Sequence, residues 1–144
     1  MKKHYYYPTV VHKTNDERYW AEFPGMPGCF TEGKDTDELM YMVTDAIGLY
    51  LEDNIAQDDM PEPMDIESVV VEKDQDDVSA CVMLIDFQPE EYLRRISEKS
   101  VKKTLTIPSW LNQLATRRGL NFSQILQEGL KIHLGLIDAA EVTE

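Results

Sequence analysis

The sequence is poor in cysteine, in basic residues and in long apolar runs, and each shortage argues against a class of protein. Only two cysteines occur in 144 residues, Cys29 and Cys81, without Cys-x-x-Cys spacing. A disulfide framework is therefore not expected, and both read as buried thiols. No apolar run approaches the roughly 18 residues of a membrane span. The opening Met1-Lys2-Lys3-His4-Tyr5 is basic but has no apolar leader core behind it, so a cytoplasmic location is expected. The three histidines, His4, His12 and His133, are scattered and form no ligand motif with the cysteines. Neither a metal nor a cofactor is expected. Lysine and arginine number 14 against 27 aspartates and glutamates, a net charge of −13. That balance argues against nonspecific nucleic-acid binding by the whole surface. What remains is a chain 42% hydrophobic, too apolar to be disordered and long enough for one ordinary domain or two small ones.

The charge is unevenly spread. Residues 1–99 carry 23 acidic and 9 basic side chains, net −14. Residues 100–135 carry Lys102, Lys103, Arg117, Arg118 and Lys131 against Glu128, net +4. Such a split suggests two tasks. The basic segment suits phosphate. The acidic body suits a basic partner or serves solubility.

Residues 1–99 alternate strand and helix signals. His4–Lys13 is rich in tyrosine and β-branched residues, with Pro8 pointing to an edge or a bulge. Asn15-Asp16 turns the chain into a second strand, Arg18–Phe23. Pro24-Gly25 and Pro27-Gly28 punctuate a tight loop before a third strand, Cys29–Glu32. Asp35 and Glu38 have capping-box spacing, with Thr36 as a rival cap. Leu39, Val43, Ala46, Ile47 and Tyr50, widened by Met40 and Leu51, then recur at helical spacing. Asn54–Asp65 reads as a loop, and Ser68–Glu72 and Val78–Phe87 as two further strands. Pro89 opens a short helix to Lys99. The expectation is α+β, with about five strands and two helices.

Ser100 begins a second unit. Val101, Lys103, Leu105 and Ile107 alternate with Lys102, Thr104 and Thr106, and Pro108 ends the run. Two helices follow, Ser109–Arg118 closed by Gly119, and one capped by Asn121 with Gln124 three residues on. A lone strand and two helices cannot bury Leu105 and Ile107. A second copy can, by pairing the strands antiparallel about a twofold axis. Leu105, Ile107, Leu111, Leu114, Ile125, Leu126 and Leu130 would form the shared core. Lys102, Thr104 and Thr106 would face outward, with Lys103 adding charge, as a ribbon that fits the major groove. Amides around Asn121, Phe122 and Ser123 suit a phosphate. Residues 101–135 resemble the ribbon-helix-helix class of Arc and MetJ type, in the order of alternation, proline and Gly-Leu-Asn-x-Ser step. A dimerisation arm with a solvated threonine face is the rival reading.

The most specific pattern lies in residues 19–53: an aromatic strand, then Phe23, Pro24, Pro27, Gly28, Cys29, Thr31 and Gly33, then a helix opening on an acidic pair. This resembles the HicB antitoxin family. The resemblance implies a degenerate ribonuclease-H-like sheet domain over 1–99 and a ribbon-helix-helix domain over 100–144. It further implies a toxin partner, a small basic HicA-like ribonuclease, and repression of the chain's own operon by operator binding. Trp20, Glu22, Glu32 and Asp35 are candidate toxin contacts. A homodimer through the C-terminal domain is expected, with higher assembly left open. A ligand-sensing repressor without a toxin partner is the alternative. A residual nuclease would need carboxylates such as Glu22, Glu32, Asp45 and Asp86 to converge on metal ions, and no enzyme activity is expected.

Overall fold

The computed structural model describes residues 3–97 and 100–142. The chain forms two compact units, one over Lys3–Ser97 and the other including the described residues from 100 onward. Among the described residues no helix is long and apolar enough to cross a membrane.

The first unit is a four-stranded antiparallel sheet with helices, ordered β3-β2-β1-β4. The strands are β1 (Tyr5–Thr14), β2 (Tyr19–Glu22), β3 (Phe30–Gly33) and β4 (Asp77–Phe87). Helices α1 (Thr36–Tyr50) and α2 (Glu52–Ala56) follow β3, and α3 (Pro89–Ile96) follows β4. Strand β1 is central, not at an edge as Pro8 suggested. Strand β2 pairs with β1 only from Val10 to Lys13, so at Pro8 the strand has a neighbour on one side alone, Leu84 of β4.

The core lies between the sheet and α1. Tyr5, Tyr7, Val11, Ala21, Ile85 and Phe87 meet Leu39, Val43, Ile47 and Leu51. Asp35 caps α1 by accepting the Glu38 amide at 2.8 Å, while the Glu38 side chain reaches the Lys34 amide at 3.3 Å. Tyr50, expected on the buried stripe, is exposed, and Leu51 takes the inward position. The β2–β3 loop is two tandem turns, Phe23–Met26 and Met26–Cys29. Gly25 and Gly28 hold the third position of each, with φ of 86° and 79° that side chains with a Cβ resist. Three-residue spacing drives Phe23, Met26 and Cys29 inward, so this exposed loop is anchored in the core.

Three further expectations fail here. Ser68–Glu72 is not a strand: Ile66–Ser68 is a 3-10 turn, and Val69–Val71 find no partner strand. β-Branched residues favour strands through packing against neighbours, which this segment lacks. The loop expected from Asn54 begins later, because α2 tucks Ile55 against the core. Cys81 is exposed on β4, not buried, whereas Cys29 is buried.

The second unit contains α4 (Ser109–Arg117) and α5 (Phe122–His133), followed by a 3-10 turn at Ala139–Glu141. Amides of Gly119 and Leu120 close α4 on the carbonyls of Thr116 and Ala115, a Schellman ending. Asn121 caps α5 by accepting the Gln124 amide at 3.1 Å. Val101–Ile107 forms no strand within the single chain.

Candidate binding surfaces

Strand alternation gives the sheet of the first unit a second face, opposite α1. Pro8, Val10 and His12 of β1 share it with Trp20 and Glu22, Phe30 and Glu32, and Val82 and Leu84. Trp20 stands opposite Glu32 on one side and His12 on the other, and Glu22 stands opposite Phe30 and Val10. Three of the four residues singled out in this region therefore lie together. The fourth, Asp35, sits at the start of α1, where its carboxylate serves as the helix cap. Phe30, which the sequence reading passed over, is 64% exposed beside them. The face combines aromatic rings with carboxylates.

A polar group that the sequence did not reveal supports this face. The His12 side chain is 1% exposed, although its position in the alternation places it outward. Its Nδ1 lies 2.6 Å from Asp77 Oδ2, and its Nε2 lies 3.2 Å from Glu22 Oε2. Its ring stacks on Trp20 with centroids 3.8 Å apart and planes 7° from parallel. The Trp20 indole N–H donates to Asp77 Oδ1 at 3.1 Å. Burial alone would push the Asp77 carboxyl up. Hydrogen bonds from the Asp74 amide, Trp20 and His12, with the attraction of His12, outweigh it and hold Asp77 below the ordinary carboxylate value. Only the alternation of β1 hinted at this group, since Asp77 is 65 residues away in sequence.

The carboxylates weighed for metal-dependent catalysis do not converge. Glu22, Glu32 and Asp86 belong to the outer face, where Asp86 instead bonds His4 at 2.8 Å. Asp45 is on α1, across the sheet. Among the described residues no group of three or more His, Cys, Asp or Glu side chains is arranged to hold a metal ion. Two open depressions of about 270 and 250 Å³ flank the Thr14–Trp20 hairpin and the Glu22–Phe30 loop. Both fall below the roughly 300–1,000 Å³ of ordinary small-molecule sites.

The second unit differs in kind. None of its described residues is buried. Leu105, Ile107, Leu111, Leu114, Ile125 and Leu130 are all exposed, and Leu126 is half-buried. Lys102, Lys103, Thr104 and Thr106 are exposed as well. At the start of α5 the Asn121 side chain is engaged as the cap, and Ser123 Oγ accepts from Gln127 at 3.3 Å. The backbone amides of the first turn, rather than these side chains, are the groups aimed at any anion there.

The chain thus joins a small α+β sheet unit to a helical unit in which no described residue is buried. Residues 7–128 match the family described as HicB_like antitoxin of bacterial toxin-antitoxin system. The chain belongs to that family and is a HicB-type antitoxin of a toxin–antitoxin system. It is similar to a chain of a solved toxin–antitoxin complex from Streptococcus pneumoniae. That match has 30% identity and a TM-score of 0.51, and covers 87% of this chain and 95% of the other. A crystal structure of the Burkholderia pseudomallei antitoxin HicB also matches, at 19% identity and TM-score 0.45, over 91% and 97% of the two chains. Among curated relatives, a UPF0150 protein of Archaeoglobus fulgidus is 49% identical over 43 residues, or 30% of this chain. The match spans 62% of that relative's length. An uncharacterised 14.9 kDa protein of Haemophilus phage HP1 is 28% identical over 106 residues, covering 73% of this chain and 74% of the other.

Proposed function

We propose that this antitoxin neutralises a small basic HicA-type ribonuclease with residues 1–99 and represses its own operon with residues 100–144. The observation that carries the reading is the contrast between the units. One has a complete core and an acidic, aromatic face to offer. The other leaves Leu105, Ile107, Leu111, Leu114, Ile125 and Leu130 exposed, six of the seven apolar residues that a ribbon-helix-helix dimer would share.

The toxin would dock on the outer sheet face, through Trp20, Glu22, Phe30 and Glu32. A protein that binds RNA presents a basic surface, and carboxylates beside flat rings suit lysine and arginine. Neutralisation is then burial of the toxin's active surface, without chemistry by the antitoxin. The closeness to a chain of the Streptococcus pneumoniae complex supports a toxin partner.

In the C-terminal unit, two Val101–Ile107 segments would pair across a twofold axis. Leu105 and Ile107 would face the four helices, and Lys102, Thr104 and Thr106 the major groove. The amides that open α5, at Phe122 and Ser123, would take a phosphate.

The test mixes the full chain with the product of the neighbouring short reading frame. RNA cleavage by that product should stop near one-to-one stoichiometry, and the pair should protect the promoter upstream of the chain's gene from footprinting reagents. Cleavage undiminished by a molar excess of folded chain refutes the neutralising role. Equal affinity for promoter and scrambled DNA refutes the repressor role.

A further inference from the structure

The buried His12 is the feature that antitoxin function does not by itself account for. It lies under the outer face, and both ring nitrogens point at carboxylate oxygens, Asp77 at 2.6 Å and Glu22 at 3.2 Å. A carboxylate accepts, so a nitrogen bonded to one donates. Only the imidazolium form has two N–H groups; a neutral imidazole serves one carboxylate and turns a lone pair to the other. Trp20 stacks on the ring, Ala80 stands opposite on β4, and Val10 and Thr14 flank it on β1.

The two carboxylates are unlike. The Asp77 side chain is 1% exposed and is also held by Trp20 and by the Asp74 amide at 2.8 Å. Glu22 is 38% exposed, and His12 is the link that ties it to the buried group. Glu22 is therefore the looser end of the clamp.

We propose that His12 is a positioning residue: as an imidazolium clamped between Asp77 and Glu22, it fixes the Trp20 ring and the Glu22 carboxylate in the arrangement a basic protein partner meets. The inference rests on the outer face being the toxin-docking surface. It adds that docking weakens when the hydrogen bonds of His12 are removed, because Glu22 is then free to swing away.

The first experiment needs no partner. Nitrogen-15 spectra of the full chain at pH 7 should show both His12 ring nitrogens protonated. A neutral His12 ring at pH 7 overturns the proposal. The second experiment measures affinity for the cognate toxin at pH 7 in wild type, His12→Phe and Trp20→Ala. His12→Phe keeps a flat ring on Trp20 and loses both hydrogen bonds. It should bind about tenfold more weakly. If Trp20→Ala weakens binding while His12→Phe matches wild type, the proposal alone fails. If Trp20→Ala also binds like wild type, the outer face is not the docking surface, and both readings fail. Should His12→Phe not fold, Glu22→Gln replaces it. There the nitrogen-15 signal of His12 Nε2 at pH 7 should move, because its carboxylate partner is gone, and an unchanged signal overturns the proposal.

Discussion

Residues 3–97 and 100–142 put similar residue types to opposite use. In the first unit, Leu39, Val43, Ile47 and Phe87 are almost wholly removed from water. In the second, Leu105, Leu114, Ile125 and Leu130 each keep between 47% and 58% of their surface. The difference is one of closure. The first unit has a sheet and a helix, two layers that cover each other. The second has two helices and an extended segment with no strand to pair. Apolar alternation over Val101–Ile107 is thus a statement about a missing layer, and a second copy is the simplest source of it.

The largest effect is expected of Leu105→Asp. If the second unit is completed by a twofold partner, two carboxylates enter one apolar layer. Self-association should then fall by roughly a thousandfold or more, read by sedimentation at micromolar concentration. The first unit should keep its own unfolding transition. A wild-type chain that sediments as a monomer would remove the basis of the contrast altogether.

Phe87→Ala is the mirror experiment. The ring is fully buried and contacts Tyr7 and Tyr92, with centroids 6.3 and 6.1 Å away. Its removal should destabilise the first unit by about 3–5 kcal/mol, measured by denaturant unfolding, and leave dimerisation intact. A smaller cut is Gly48→Ala. A Cβ there would stand 2.2 Å from the Tyr92 ring, which joins α3 to α1. The expected loss is about 1–3 kcal/mol by the same measurement.

On the second unit, Thr104→Ala and Thr106→Ala should each cost roughly 1–3 kcal/mol of operator binding and relax sequence preference. Ser123→Ala should act evenly on all sequences, or not at all, since on this proposal the backbone amide would be the phosphate donor. Shift assays on operator and scrambled DNA separate the two patterns.

The smallest effect is a dependence on acidity confined to the first unit. Asp77 is held below its ordinary value of 3.8 in the folded chain. Its stabilising contribution is therefore full above the unfolded value and disappears as pH falls through the depressed folded one. Asp77→Asn should flatten that part of the melting-temperature profile below about pH 4. An acid profile identical to wild type would show that the Asp77 group adds nothing to stability.

Local rules carried much of this fold. Asp35 and Asn121 cap the helices that their spacing indicated, Pro89 opens α3, and the tyrosine-rich and valine-rich runs became β1 and β4. These features depend on residues within one or two turns of each other. Contacts across long separations were not legible. The pairing of His12 with Asp77 depends on β4 returning beside β1, which no local pattern encodes. Val69–Val71 have strand composition but no partner, and composition does not report partners. The outer face was half legible: alternation grouped Trp20 with Glu22, but Phe30 and Glu32 joined them only through the β2–β3 register. Asp35, singled out both as a cap and as a toxin contact, is seen as the cap of α1.

A unit without an interior of its own folds by mass action. On the dimer proposal, its folded fraction follows the number of chains in the cell, whereas the sheet unit keeps its shape at any dilution. As the antitoxin is depleted, DNA binding would be lost first and toxin binding would persist. The promoter would then reopen while the remaining chains still held toxin. Supply would be restored before protection failed, and the gauge that reports the shortage would be the exposed row of Leu105, Ile107 and Leu114.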